Sequence, residues 1–117
     1  MKKVICSDKA PGAIGPYSQA IEANGMVFVS GQLPIDAATG LMPDGVEAQA
    51  RQSLENIKHI LEAAGLTMSD IVKTTVFLQD MSLFAGMNGV YATYFEGAFP
   101  ARSAVAVKAL PKDALVE

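Results

Sequence analysis

Residues 17–32 read Tyr-Ser-Gln-Ala-Ile-Glu-Ala-Asn-Gly-Met-Val-Phe-Val-Ser-Gly-Gln. At the centre, Asn24-Gly25 is a two-residue hairpin signal, because both residue types accept the positive φ of a type I′ turn. Tyr17–Ala23 and Met26–Gln32 are therefore expected as paired antiparallel strands. Pro34 ends the second strand, and residues 36–45 form a connection rich in turn formers. Upstream, Pro11, Gly12, Gly15 and Pro16 make Ala10–Pro16 a loop, and Lys3-Val4-Ile5-Cys6 reads as a short edge strand.

The helix signals lie downstream. Val46, Ala50, Leu54, Ile57, Leu61 and Ala64 recur at three- and four-residue steps, with Glu47, Arg51, Glu55, Lys58 and Glu62 on the opposite side. That periodicity predicts a helix over 46–64. Asp44 is the expected cap, and Gly65 stands where a left-handed residue closes a helix. Ile71–Gln79 is β-branched and reads as a strand. Ser82–Gly97 reads as a second helix, weakened at Gly86 and Gly89 by about 1 kcal/mol each relative to Ala. Arg102–Lys108 is expected as a strand, Leu110–Asp113 as a turn, and Ala114–Glu117 as the start of a last strand. The resulting order is β, β-hairpin, α, β, α, β, β. It predicts one α+β domain over residues 1–117, with one mixed sheet and two helices on one face.

Two helices leave the second sheet face open. Met26-Val27-Phe28-Val29 is apolar at every position, and Ile71-Val72 and Val76-Phe77-Leu78 repeat the pattern. Continuous apolar strands imply burial on both sides. A second copy of the chain is the simplest cover, so a homo-oligomer is expected.

Composition excludes several classes. Half of the 117 residues are apolar and 18% are charged, which is not the balance of a disordered chain. No apolar run approaches the roughly 18 residues of a membrane span. No leader-like segment is apparent, and one Cys builds no internal disulfide, so a reducing cytoplasm is the expected setting. A net charge of −3 and nine scattered Lys and Arg residues argue against a nucleic-acid binder. One His and one Cys do not make a zinc site of the usual kind. No phosphate loop, dinucleotide fingerprint or metalloprotease motif is present.

Along the strand at 102–108, Arg102, Ala104, Ala106 and Lys108 share one face, and Ser103, Val105 and Val107 the other. The Val face is expected in the core. The Arg face, charged at its ends and small in the middle, leaves room for a ligand or another backbone. Arg suits bidentate recognition of a carboxylate or phosphate. From spacing alone the favoured reading is that Arg102 makes a structural salt bridge or sits on an exposed edge. Ser30-Gly31-Gln32 either lets a ligand approach the backbone or marks a bulge. Tyr17 reads as an ordinary strand aromatic, Asn88 as a surface or capping residue, His59 as solvated, and Cys6 as a small hydrophobe.

Several segments together resemble one family. They are Ala10–Gln19 (APGAIGPYSQ), Val29–Pro34 (VSGQLP), Val72–Phe77 (VKTTVF) and Pro100–Ser103 (PARS) running on through LPKD to Glu117. These look like the RidA/YjgF family of reactive-intermediate deaminases, in its archetypal branch, over essentially the whole chain. The resemblance implies a chorismate-mutase-like α+β fold. It also implies a homotrimer with a central barrel and clefts between subunits. The activity it implies is hydrolysis of 2-enamine and 2-imine acids, such as 2-aminoacrylate and 2-iminobutanoate, to 2-keto acids and ammonia. No cofactor or metal is implied, and the partners are a small 2-imino or 2-keto acid and further copies of the chain.

Carried over by position, Arg102 would clamp the substrate carboxylate and Glu117 would hold and activate water. Tyr17 would border the pocket, Ser30 and Gly31 would line it, and Asn88 would face the cleft. The backbone N–H of Ala104 would donate to substrate, at a position where many relatives carry Cys. Relatives continue past the position of Glu117, so the last strand is expected to be cut short here. Two other readings stand beside the enzyme: a regulatory trimer that binds 2-keto acids without turnover or docks on another protein, and a translation inhibitor or ribonuclease.

Overall fold

The computed structural model describes residues 1–117. Its first layer is an antiparallel ladder. β1 (Lys3–Ile5), β2 (Ala20–Ala23) and β3 (Met26–Val29) pair in chain order, with Val4 opposite Ile21 and Ile21 opposite Phe28. Asn24 and Gly25 take φ of 52° and 76° between β2 and β3, the turn their chemistry predicts. α1 (Val46–Ala63) crosses behind this ladder. β4 (Lys73–Leu78), α2 (Phe84–Ala92) and β5 (Ala101–Ala106) complete the elements, with β4 and β5 parallel.

The expected single sheet is corrected: the ladders form two sheets, β1-β2-β3 and β4-β5. The chain leaves the β3 ladder early. Ser30–Pro34 contains a glycine and a proline without an N–H, and Gln32 turns its amide back to the Ser30 carbonyl at 3.1 Å. The expected last strand is a single antiparallel bridge, Val116 to Leu78. Glu117 and Phe77 exchange both backbone hydrogen bonds at 2.9 Å, on the edge of β4 away from β5. Residues 115–117 thus lie between β4 and the segment after β3.

Other boundaries also move. Tyr17 and Ser18 belong to the loop before β2, which buried Gln19 holds: its side chain accepts from the Ser7 amide and donates to the Ser7, Ala10 and Pro11 carbonyls. Gly45, with φ 87°, occupies the start of α1, and no side chain caps it, so the Asp44 cap is not formed. At the other end Gly65 (φ 76°) donates to Glu62 and Leu66 to Leu61, a Schellman closure. The second helix is half its expected length. A 3₁₀ turn at Met81–Leu83, started by Asp80, precedes α2, and Thr93 ends it by bonding the Val90 carbonyl at 2.6 Å.

Two apolar clusters hold the layers together. Val46, Ala50 and Leu54 of α1 meet Met87, Val90 and Tyr91 of α2 over Val76, Leu78 and Val116. Ile60, further along α1, packs on Ile5, Ala10 and Ala20, with Val27 and Val29 beside them. α1 therefore spans both sheets. Its polar side chains fasten what the ladders leave loose. Asn56, fully buried, donates to the Leu33 and Ile35 carbonyls, and Gln49 accepts from the Leu115 amide at 2.8 Å.

Candidate active site

Arg102 lies where the sequence did not place it. The register sets Thr74 opposite Arg102 and Val76 opposite Ala104. Val76 and Leu78 are buried beneath the helices, so Arg102 and Ala104 face the helices too. Val105, expected in the core, is 46% exposed on the outer face. The reason is α2, where Phe84, Asn88 and Tyr91 occupy i, i+4 and i+7 and line one side of the helix. The guanidinium sits 4.7 Å from the Tyr91 ring centroid and 5.4 Å from that of Phe84. It donates to Asn88 Oδ1 at 2.8 Å. Tyr91 is itself fixed by a 2.7 Å hydrogen bond between its hydroxyl and Thr74 Oγ1.

All the groups that hold this cation are neutral. The salt bridge that spacing allowed is therefore replaced by a neutral cradle, and the charge stays available to an anion. Asn88 bonds Arg102, which corrects the expectation of a surface or capping residue.

The β5 backbone adds donors beside the cation. Ala101 and Val107 send their N–H groups to Val72 and Leu78 of the β4 side. Alternation along the strand turns the N–H groups of Arg102, Ala104 and Ala106 the other way. β4 is the only strand paired with β5, so these donors point from a free edge.

The remaining candidates gather elsewhere. Val27 and Val29 pack inward, so Ile21 and Phe28 face outward. An open cleft of about 520 Å³ lies on this outer face, between Tyr17, Ile21, Phe28 and Ser30. Ser30 is fixed through its hydroxyl, which donates to the Ser18 carbonyl at 2.6 Å. Tyr17 is half-exposed, and its hydroxyl accepts from the Ile14 amide at 3.4 Å. Gly31 follows Ser30, and Glu117 lies against it. A Cβ built on Gly31 would stand 2.7 Å from Glu117 Oε2. Val116 is buried, so alternation turns Glu117 outward with Phe77. Burial raises the Glu117 carboxyl above the ordinary glutamate value.

One chain thus carries two half-sites on opposite sheet faces. Arg102, Asn88 and the Ala104 amide make one, and Tyr17, Ser30, Gly31 and Glu117 the other. The first can bind a carboxylate, and the second offers a carboxylate base near a cleft with both polar and apolar walls. No three His, Cys, Asp or Glu side chains converge as a metal site would require. The sequence reading missed Phe84, Tyr91 and Thr74. The aromatic spacing on α2 is the available signal, but it bears on Arg102 only once β5 turns that residue toward the helices.

The profile of the family described as endoribonuclease L-PSP matches residues 7–117. A Salmonella typhimurium protein named 2-iminobutanoate/2-iminopropanoate deaminase is 52% identical, over all of this chain and 94% of its own length. A RutC family protein of Pyrococcus horikoshii is 56% identical with the same coverage. Among solved structures, the E. coli YjgF gene product superposes with a TM-score of 0.94 at 50% identity. E. coli TdcF with bound serine gives 0.94 at 49%. Each covers 97% of this chain and 92% of the other.

Proposed function

The chain belongs to the RidA/YjgF family, and from that premise we propose that it is a deaminase of 2-imino acids, converting them to 2-keto acids and ammonia. The observation that carries this reading is the neutral cradle of Arg102, a half-buried cation beside outward-pointing backbone donors. Such a cation suits the carboxylate of a small acid. An RNA backbone would call for a broader positive surface, which a chain of net charge −3 does not supply.

The chemistry follows from position. Arg102 holds the substrate carboxylate, with the Ala104 N–H as a second donor. That fixes C2, the imine carbon, relative to a water held by Glu117. The substrate reacts with its imine nitrogen protonated: as the water oxygen bonds C2, one water proton passes to the Glu117 carboxylate, and the C=N electron pair moves onto nitrogen. Glu117 returns the proton to nitrogen, making the amine a leaving group. It then takes the hydroxyl proton as C=O forms and the C–N bond breaks. The proton finally goes to ammonia, leaving a 2-keto acid, ammonium and ionised Glu117. A 2-enamine acid enters after protonation at C3. Tyr17, Ser30 and Gly31 border the reacting group, and no cofactor or metal takes part in this scheme.

The half-sites face opposite sides of the sheet, so the reading requires a second copy. Apolar side chains on the outer face favour this: Val4, Met26 and Phe28 are each more than half exposed in the single chain. A homotrimer, its sheets facing a central barrel, would cover them and set Arg102 of one chain against Glu117 of the next. The working location is the cytoplasm, where pyridoxal-phosphate dehydratases release such intermediates.

The test is a coupled assay. A serine or threonine dehydratase generates 2-aminoacrylate or 2-iminobutanoate, and imine decay is followed by trapping. Accelerated decay with the protein, lost in Arg102→Ala, supports the reading. Decay at the uncatalysed rate, with saturable 2-keto acid binding, would replace it with a binding role.

A further inference from the structure

Glycine at position 31 needs an explanation. Its φ lies outside the left-handed region, so backbone conformation does not require glycine there. The residue is exposed, so core packing does not require it either. A Cβ built at Gly12, Gly25, Gly40, Gly65, Gly89 or Gly97 meets nothing within 4 Å, and at Gly86 it meets both Glu47 Oε1 at 2.7 Å and Val46 Cγ1 at 2.9 Å, the packing of α2 on α1. At Gly31 all three nearest heavy atoms belong to one carboxyl group: Glu117 Oε2 at 2.7 Å, Cδ at 3.0 Å and Oε1 at 3.5 Å. A methyl group there would force the Glu117 carboxyl to move, since Oε2 stands closer than any Cβ contact allows and Cδ closer than most do.

The carboxyl at this spot is held in an unusual way. The Glu117 backbone is locked to Phe77 by two hydrogen bonds, so the side chain starts from a fixed point. Burial is the cause of its raised pKa, with no hydrogen bond contributing. The carboxylate occupies the space where a side chain on residue 31 would begin, so its position requires glycine there.

We propose that Gly31 is a positioning residue whose missing side chain forms the seat of the Glu117 carboxylate and sets where that base meets the reacting water. The inference rests on the deaminase reading for its kinetic consequence, but the seat is a property of the chain alone. It also links the two sheets, because Gly31 follows β3 while Glu117 is bonded to β4.

The experiment compares wild type, Gly31→Ala, Glu117→Asp and the double variant in the imine-decay assay. A methyl at position 31 displaces the carboxylate, and a displacement near 1 Å lowers turnover by up to about 100-fold. The expected result for Gly31→Ala is a kcat reduced about 10- to 100-fold, with KM within about threefold. Aspartate withdraws the carboxylate by one C–C bond, about 1.5 Å. In the Glu117→Asp background the Gly31→Ala change should then cost less than about twofold, a non-additivity that marks action through residue 117. Multiplying costs would show that the methyl obstructs substrate directly, and a silent Gly31→Ala would remove the seat; either overturns the proposal. An NMR cross-peak between Gly31 Hα and Glu117 Hγ checks the seat without activity. If the wild type hydrolyses no imine, the deaminase reading falls, and the cross-peak alone decides: its presence upholds the seat and its absence overturns it.

Discussion

Replacing Arg102 with lysine separates charge from geometry. Both side chains are cationic, but only the guanidinium offers a planar fork and stacks flat on aromatic rings. In the cradle, the bond to Asn88 Oδ1 measures 2.8 Å, and two rings lie within 5.4 Å of the charge. A hydrogen bond to a charged group contributes about 1.5–3 kcal/mol, and an exposed cation–π contact about 0.5–1 kcal/mol. Arg102 is only half-buried, so the lower ends apply. Lysine keeps part of the ring contact and loses the oriented bond, a stability loss of about 1–2 kcal/mol. Toward substrate it replaces a two-point carboxylate contact by one. One charge-assisted bond at about 1.5–3 kcal/mol corresponds to a fall in kcat/KM of roughly 10- to 100-fold. The assay is imine decay at substrate below KM, with a urea midpoint at fixed protein concentration and light scattering beside it. Retention of more than half the wild-type kcat/KM would refute the clamp. A fall that merely tracks loss of assembly would make Arg102 a structural residue.

Three further outcomes are expected. Co-expressing Arg102→Ala with Glu117→Ala chains should restore activity that neither variant has alone, because the two residues lie on opposite sheet faces; an inactive mixture would place both in one subunit. Phe28→Glu puts a charge in the outer Val4-Ile21-Phe28 row and should leave a 12.3 kDa monomer by sedimentation, whereas an unchanged assembly would mean that this face is not the interface. The pH profile should fall on its acid side through a pKa above the ordinary glutamate value of 4.5, because the base must be ionised and burial raises Glu117. The sign for stability is opposite: a raised carboxyl stabilises fully below its unfolded pKa and loses that contribution as pH rises through the folded one. Glu117→Gln should therefore abolish turnover while being no less stable at neutral pH, and a destabilised Gln variant would contradict the burial argument.

The legible parts of the fold are those set by local chemistry. Asn24-Gly25 takes the predicted turn because only its own φ values are at stake. The long helix and its Gly65 closure follow from a period and a terminator within one segment. Misread features depend on contacts distant in sequence. The strand around Phe28 ends at Val29 because the chain there turns toward residues 115–117, more than 80 positions away. Asp44 looked like a cap, yet Gly45 takes the terminal position with a φ that an L-residue rarely adopts.

The inversion of β5 is more instructive. Alternation correctly grouped Arg102 with Ala104 and Val105 with Ser103, but carries no sign saying which group faces the helices. The hydrophobic rule assigned Val105 inward. That rule fails where an arginine has aromatic faces to stack on, because its guanidinium is weakly hydrated and its burial then costs little. It also fails where an apolar face awaits another chain, since Val105 exposed in one subunit need not be exposed in an assembly. Both exceptions arise together when a site is shared between copies: the recognising charge turns toward its own helix, and the apolar face turns toward the neighbour. A core rule applied to one chain then misplaces the residues of such a site. Arg102 and Val105 are wrong in opposite directions, and that paired error is itself an argument for a site completed by a second copy.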